Sequence, residues 1–296
     1  MDFGGTRIKV AVVEGAVIER SADLETQSGA GPGEILDAIA DQVRALAPGP
    51  EAVGLAIPGE VDSSGKIWRL PNVPGFAGVA MARELRERLG CPIVVENDGT
   101  AAALAEALFG HGREHPSFMM LTLGTGIGGG LVLDGNPHRG AHGFAAEVGH
   151  VSIERGAIEP GADPWQCGCG RYGCMEAYAG TAGLLRRFAE LGGQANEIRE
   201  IAESARRGED AGRLVFEGMG EALGLGITTM QNLLDLDAFV FTGGVSRSFD
   251  LIEPALRRTL RDHGFAQILS EVPLLLSGLE DRAGVIGAAH LPGRFA

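Results

Sequence analysis

FMMLTLGTGIGGGLVLDG, residues 118–135, reads as an apolar strand, a glycine-rich turn with one threonine, and a second apolar strand ending on Asp-Gly. The chain opens on the same order of features. In DFGGTRIKVAVVEG, residues 2–15, a Gly-Gly-Thr turn precedes a strand in which Ile8, Val10 and Val12 alternate with Lys9, Ala11 and Val13, and Glu14-Gly15 closes it. Strand, Gly/Thr turn, strand and acidic-Gly turn thus occur twice, a weak internal repeat that predicts two related lobes.

Working outward, residues 34–47 place Ile35, Ile39, Val43 and Leu46 at helical spacing. The strand AVGLAIPGEV (52–61) breaks at Pro58-Gly59, a helix is predicted over 79–89, CPIVVEND (91–98) is a strand, and GTAAALAEALFG (99–110) a helix. Beyond the repeat, helices are expected at 181–191, 195–207, 211–234 and 250–263. Strands are expected at AFVFTGG (238–244) and VPLLLSG (272–278), with a closing helix at 283–291. This alternation predicts an α/β fold, a mixed or parallel sheet covered by helices. The polar, helix-breaking GHGREHPS (110–117) marks the boundary between a smaller lobe, 1–114, completed by a closing helix at about 282–296, and a larger one, 115–281.

With 45% hydrophobic residues the chain builds a substantial core. A net charge of -14 and no basic run exclude nucleic acid as a partner. No stretch approaches the ~20 apolar residues of a membrane helix, and MDFGGTRIKV has no signal-peptide pattern. A cytoplasmic protein without membrane partners is expected. Its thiols stay reduced, so Cys167, Cys169 and Cys174 read as metal-binding or catalytic before they read as a disulfide. Cys91, with no cysteine or histidine nearby, reads as a small buried hydrophobe. Trp68 and Trp165 suit stacking on a sugar face but read first as packing residues.

Gly4-Gly5-Thr6, Gly124-Thr125-Gly126 and Gly243-Gly244 share the character of phosphate turns: glycine lets the backbone approach a ligand and offers N–H donors, and threonine adds a hydroxyl. Each alone is equally an ordinary hairpin turn. Three in one two-lobed α/β chain point to a nucleotide, although none fits the P-loop or dinucleotide pattern. Asp2, at the mouth of the first turn, is placed to hold hydrated Mg²⁺. Asn97 and Asp98 end an apolar strand and start a helix. Alone they read as a helix cap; at a lobe edge, a carboxylate there also suits proton removal from a substrate hydroxyl.

DFGGT, IPGEVD, PNVPGF, ENDGTAAALAE, LTLGTGIGGGLVLDG, GAHGFAAEVGHVSIE, CGCGRYGCME and FTGGVS occur in this order from residue 2 to about 290, and the chain resembles the ROK family of sugar kinases, of the bacterial glucokinase kind. The resemblance implies an actin-like, ribonuclease-H-like fold of two lobes with a cleft between them, and transfer of the γ-phosphate of ATP to a hexose hydroxyl, glucose first. N-acetylmannosamine, N-acetylglucosamine and fructose are the alternative acceptors. It implies that Gly4, Gly5 and Thr6 form the first phosphate loop with Asp2 near Mg²⁺, that Gly124, Thr125 and Gly126 form the second, and that Gly243 and Gly244 form the adenosine-side turn. Asp98 matches the catalytic base. Asn97, Glu147, His150 and Glu176 match sugar-hydroxyl ligands, with Gly59 and Asn72 at the pocket rim. His150, Cys167, Cys169 and Cys174 then make a Cys₃His set suited to a closed, structural Zn²⁺ that pins the loop carrying Glu147 and Glu176. A homo-oligomer, dimer or tetramer, is implied as well.

Some positions depart from the family pattern. Only Met1 precedes Asp2, so either the first strand is short or the start lies inside the natural one; Arg7 stands for lysine, Thr100 for Asn, Phe76 for Trp, and Ala146 for the Gly before Glu147. A sugar-responsive regulator is not expected, because this chain begins at the phosphate loop and is strongly acidic. A non-catalytic sugar-binding protein is the remaining rival.

Overall fold

The structure, a computed structural model, describes residues 1–26, 29–71, 73–153 and 161–295. It divides into two compact units. Met1–Met120, Gly130–Ala146 and Ser277–Ala296 form the first, and Leu121–Gly129 with Glu147–Leu276 form the second.

The first unit is built on a five-stranded sheet of order β3-β2-β1-β4-β7. Its strands are β1 (Asp2–Phe3), β2 (Arg7–Glu14), β3 (Val17–Glu25), β4 (Val53–Ile57) and β7 (Ile93–Asn97), and a small ribbon pairs β5 (Glu60–Val61) with β6 (Ile67–Arg69). β1, β2 and β3 run antiparallel, whereas β1, β4 and β7 are parallel. Parallel strands are covered on both faces, and all five residues of β4 are buried. Helices α1 (Pro32–Leu46) and α2 (Met81–Leu89) belong to this unit, and Ile35, Ile39, Val43 and Leu85 join Phe3, Ile8, Leu55 and Phe76 in its main core. A second cluster of Ala56, Val94, Ala101, Leu104, Ala288 and Leu291 joins the sheet to α3 (Asp98–Phe109) and to a C-terminal helix, Ala283–His290.

The second sheet has order β10-β9-β8-β11-β12, from β8 (Phe118–Leu123), β9 (Ile127–Leu133), β10 (Asn136–Pro137), β11 (Ala238–Thr242) and β12 (Leu274–Leu276). Each sheet thus carries one copy of the strand–glycine turn–strand repeat. In the second unit follow α4 (Met175–Ala179), α5 (Thr181–Glu190), α6 (Ile198–Arg206), α7 (Asp210–Leu234) and α8 (Phe249–His263). A C-terminal helix in the first unit, Ala283–His290, is hereafter α9. Glycines let α7 and α8 pack closely: a Cβ at Gly220 would meet Ala255 Cβ at 2.8 Å, and one at Gly224 would meet Thr259.

The segment Gly130–Ala146, taken from the sequence as part of the second lobe, groups with the first unit. The cause is backbone contact and charge. Gly130 lies so close to Gly99 O and Ala103 that no Cβ fits, Gly143 lies against Val61 O, and Arg139 pairs with the fully buried Glu96. Among the described residues no helix is long and apolar enough to cross a membrane.

Candidate active site and metal centre

In the first unit, β1 and β2 are joined by Gly4-Gly5-Thr6. Gly4 N–H donates to Arg7 O at 2.8 Å, and Thr26 ties the turn from β3's end, its hydroxyl donating to Gly4 O at 2.7 Å and its N–H to Thr6 O at 3.1 Å. The Asp2 carboxyl lies beside the first turn of α9, 3.1 Å from where a Cβ on Gly284 would stand. Burial pushes its pKa up, against the pull of the α-amino group and Lys9.

Strand β7 delivers Asn97 and Asp98. Asn97 is the N-cap of α3, with Oδ1 accepting from Gly99 N at 2.8 Å and Thr100 N at 3.2 Å, and its Nδ2 donates to Gly59 O at 3.2 Å. The capping reading of the sequence therefore holds for Asn97, and the same side chain fixes Gly59 at the β4 end. Asp98, next in line and half-buried, accepts from Gly99 N at 2.9 Å through Oδ1. Behind them Glu96 is fully buried; burial pushes its carboxyl up, and Arg139 and the Asn97 N–H pull it back. Asn72, expected at the pocket rim, lies outside the described residues.

Trp68 departs from the packing role expected of it. It is 57% exposed, its Nε1 donates to Asp62 at 3.0 Å, and its ring meets Phe144 edge-on. Burial raises the Asp62 carboxyl, but hydrogen bonds from Ser64, Trp68 and Lys66 outweigh it and hold the pKa at about 2. Trp165 does pack, stacked on Tyr178 and 5% exposed. Cys91 is buried, and burial pushes its thiol up.

In the second unit the other two glycine turns are neighbours. Gly243, at φ 92°, presses against Leu123 O, one residue before Gly124, at a spacing and a dihedral that only glycine accepts without strain. Gly124 N–H donates to Gly126 O at 3.0 Å, and Thr181 at the start of α5 fastens the turn, its hydroxyl donating to Gly124 O at 2.8 Å and its N–H to Thr125 O at 3.2 Å.

His150, Cys167, Cys169 and Cys174 converge, their ligand atoms all within 4.8 Å of one another. Cys167 Sγ lies 3.7 Å from His150 Nδ1, and Cys169 Sγ lies 3.7 Å from Cys174 Sγ. A tetrahedron's edge is roughly 1.63 times its bond length, so Zn–S near 2.3 Å and Zn–N near 2.0 Å predict edges of about 3.5–3.8 Å. The donor set and spacing fit Zn²⁺. Burial pushes the Cys167 thiol up to about 12 and the Cys174 thiol upward, while the Arg171 N–H holds Cys169 below its usual value. A dication supplies the charge that all three need as thiolates. The loop is turned by Gly170 at φ 88° and Gly173 at φ 77°. Because Nδ1 faces the sulfurs, the Nε2 of the exposed His150 is the nitrogen left for another partner.

Glu147 is exposed, at the N-terminus of the short 3₁₀ turn Val148–His150. Ala146 before it has φ 66°, the left-handed region that explains why glycine is the residue to expect there. Glu176, on α4 just after Cys174, is half-buried; its Oε2 accepts from Ile127 N at 2.9 Å, and Cys167 Sγ lies 3.4 Å from its Oε1. Sequence reasoning missed Thr26, Thr181 and the Glu96–Arg139 pair. A threonine starting a helix signalled only a cap, and the partners of the others are distant in sequence.

Two five-stranded sheets, each with a glycine turn between its first strands, define the actin-like α/β class of phosphotransferases. Within that class the chain belongs to the ROK family, whose sequence profile matches residues 1–294. It is 30% identical to a glucokinase of Thermotoga maritima, over 98% of this chain and 95% of that protein. It is likewise 30% identical to an N-acetyl-D-glucosamine kinase of Histophilus somni, over 98% and 97%. The crystal structure of a ROK family glucokinase from Streptomyces griseus, in complex with glucose and AMPPNP, superposes with a TM-score of 0.78 at 32% identity, covering 98% of this chain and 97% of that one. The ROK hexokinase of Thermus thermophilus gives 0.81 at 30% identity, over 97% and 95%.

Proposed function

We propose that this chain transfers the γ-phosphate of ATP to a hexose hydroxyl, with glucose as the acceptor. The observation that carries this reading is the full-length likeness to a glucokinase solved with glucose and AMPPNP. In this reading Asp98 accepts the proton of the attacking hydroxyl. The N–H groups of Gly4-Gly5-Thr6 and Gly124-Thr125-Gly126 carry phosphate charge, and Gly243-Gly244 lies on the adenosine side. Phosphoryl transfer has a loose transition state, so positioning and charge stabilisation are most of the catalysis. Asp2 would hold hydrated Mg²⁺, which would supply positive charge against the phosphates. Asn97, oriented by its cap and its bond to Gly59 O, binds a sugar hydroxyl, with Gly59 at the pocket rim. Glu147, Glu176 and His150, through Nε2, bind sugar hydroxyls, and Asn72 completes the rim. His150, Cys167, Cys169 and Cys174 would hold Zn²⁺ with four protein ligands, and its contribution would be to fix the loop.

N-acetylglucosamine is the second acceptor reading, favoured by relatives of equal identity that are N-acetyl-D-glucosamine kinases. The deciding experiment measures ADP release with glucose, N-acetylglucosamine, N-acetylmannosamine and fructose. The highest kcat/KM is expected with glucose. A higher value for an acetamido sugar transfers the assignment to it, and no ADP above background with any of the four rules out the kinase reading.

A further inference from the structure

Glu176 has a second set of contacts besides those expected of a sugar ligand. The Gly124–Gly126 turn is followed directly by Ile127, whose N–H donates to Glu176 Oε2 at 2.9 Å. Gly126 lies against the same oxygen, in the space that a Cβ would fill. The other carboxylate oxygen faces Cys167 Sγ at 3.4 Å. Glu176 sits two residues beyond Cys174, which is itself the N-cap residue of α4, so the position of α4 follows that of the cysteine loop. A cavity of about 330 Å³ has Thr125 and Gly126 on its wall together with Cys167, Glu176 and Arg186. The phosphate turn and the metal loop therefore line one space, and Glu176 touches both.

We propose that Glu176 is a positioning residue for the nucleotide: its carboxylate clamps the Gly124–Gly126 turn to the Cys₃His loop, so that nucleotide affinity depends on the metal being in place. The inference rests on the reading of that turn as a phosphate loop. A part-buried amide N–H facing a carboxylate is a charge-assisted bond, and leaving it unpaired frees the backbone of the turn. Loss of metal acts through the same route, because the helix that carries Glu176 starts on a ligand.

The experiment measures AMPPNP binding by calorimetry, without sugar, in the full-length zinc-loaded chain and its variants. Glu176→Ala is expected to weaken AMPPNP roughly tenfold, a typical loss for a hydrogen bond to a charged group. Glu176→Gln is expected to stay within about twofold of wild type, since an amide oxygen still accepts from Ile127 while the NH₂ faces Cys167. Removing zinc from the wild type is expected to reproduce the alanine defect, and adding it back to reverse it. Wild-type affinity in a Glu176→Ala protein that melts normally, or equal weakening by Gln and Ala, overturns the proposal. If Glu176→Ala does not fold, the metal arm decides alone, and unchanged AMPPNP affinity after zinc removal overturns the proposal. Failure of the zinc-loaded wild type to bind AMPPNP is a distinct result that removes the phosphate-loop reading itself, and this inference with it.

Discussion

Asp98 and Asn97 are adjacent residues with separate tasks. The Asn97 side chain caps two N–H groups of α3 and holds Gly59 O, which fixes its own orientation. Asp98, at the first position of α3, accepts from Gly99 N through Oδ1. Asp98→Asn is therefore expected to fold and to bind sugar and nucleotide, yet to lose at least ~10²-fold in kcat, the range of a general base. Steady-state kinetics beside binding measurements check this, and near-normal turnover would remove Asp98 from the mechanism. The sequence singled out Asp98 by its place between strand and helix. The bond from Asn97 to Gly59 and the clamp on Ile127 depend on atoms that chain pattern does not position.

At the scale of elements, close backbone approach governs the packing of α9. A Cβ on Gly287 would overlap Ala101 O of α3, with both residues buried. Gly287→Ala must push the two helices apart. Overpacking of this kind costs about 1–3 kcal/mol, and a Tm lowered by several degrees in calorimetry is the expected outcome. The metal loop is a second element whose order has one cause. With a ligand replaced, Cys169→Ser is expected to lower zinc content, read by elemental analysis, and sugar affinity together. Full sugar affinity in the zinc-free variant would show that the loop holds itself. Both features were half legible: the Cys-x-Cys-x₄-Cys spacing stands in the sequence, but His150 lies 17 residues from Cys167 and meets it only in the fold.

Over the whole molecule, the first unit is discontinuous and closes with the last segment of the chain. Ser277 donates to the buried Glu106 at 2.7 Å, Ala288 and Leu291 complete the cluster with Ala56, Val94, Ala101 and Leu104, and Gly54 lies against Ala288 O. Deleting 277–296 uncovers one face of the parallel strands β4 and β7. Such strands need cover on both faces, so the first unit of the shortened chain is expected to lose its cooperative melting transition and to bind a hydrophobic dye. A native-like melt would show that the sheet stands without α9.

The α/β order, the strand–glycine turn–strand repeat, the acidic surface and the cysteine spacing were fixed by residue type and period, because those are local properties that a linear pattern records. Tertiary structure alone decided that Gly130–Ala146 joins the first unit, that Trp68 is exposed, that Glu96 is buried against Arg139 and that Glu176 reaches Ile127. Each of those depends on where a backbone without a Cβ, or a charge without water, finds its partner, and such partners are set by packing in three dimensions.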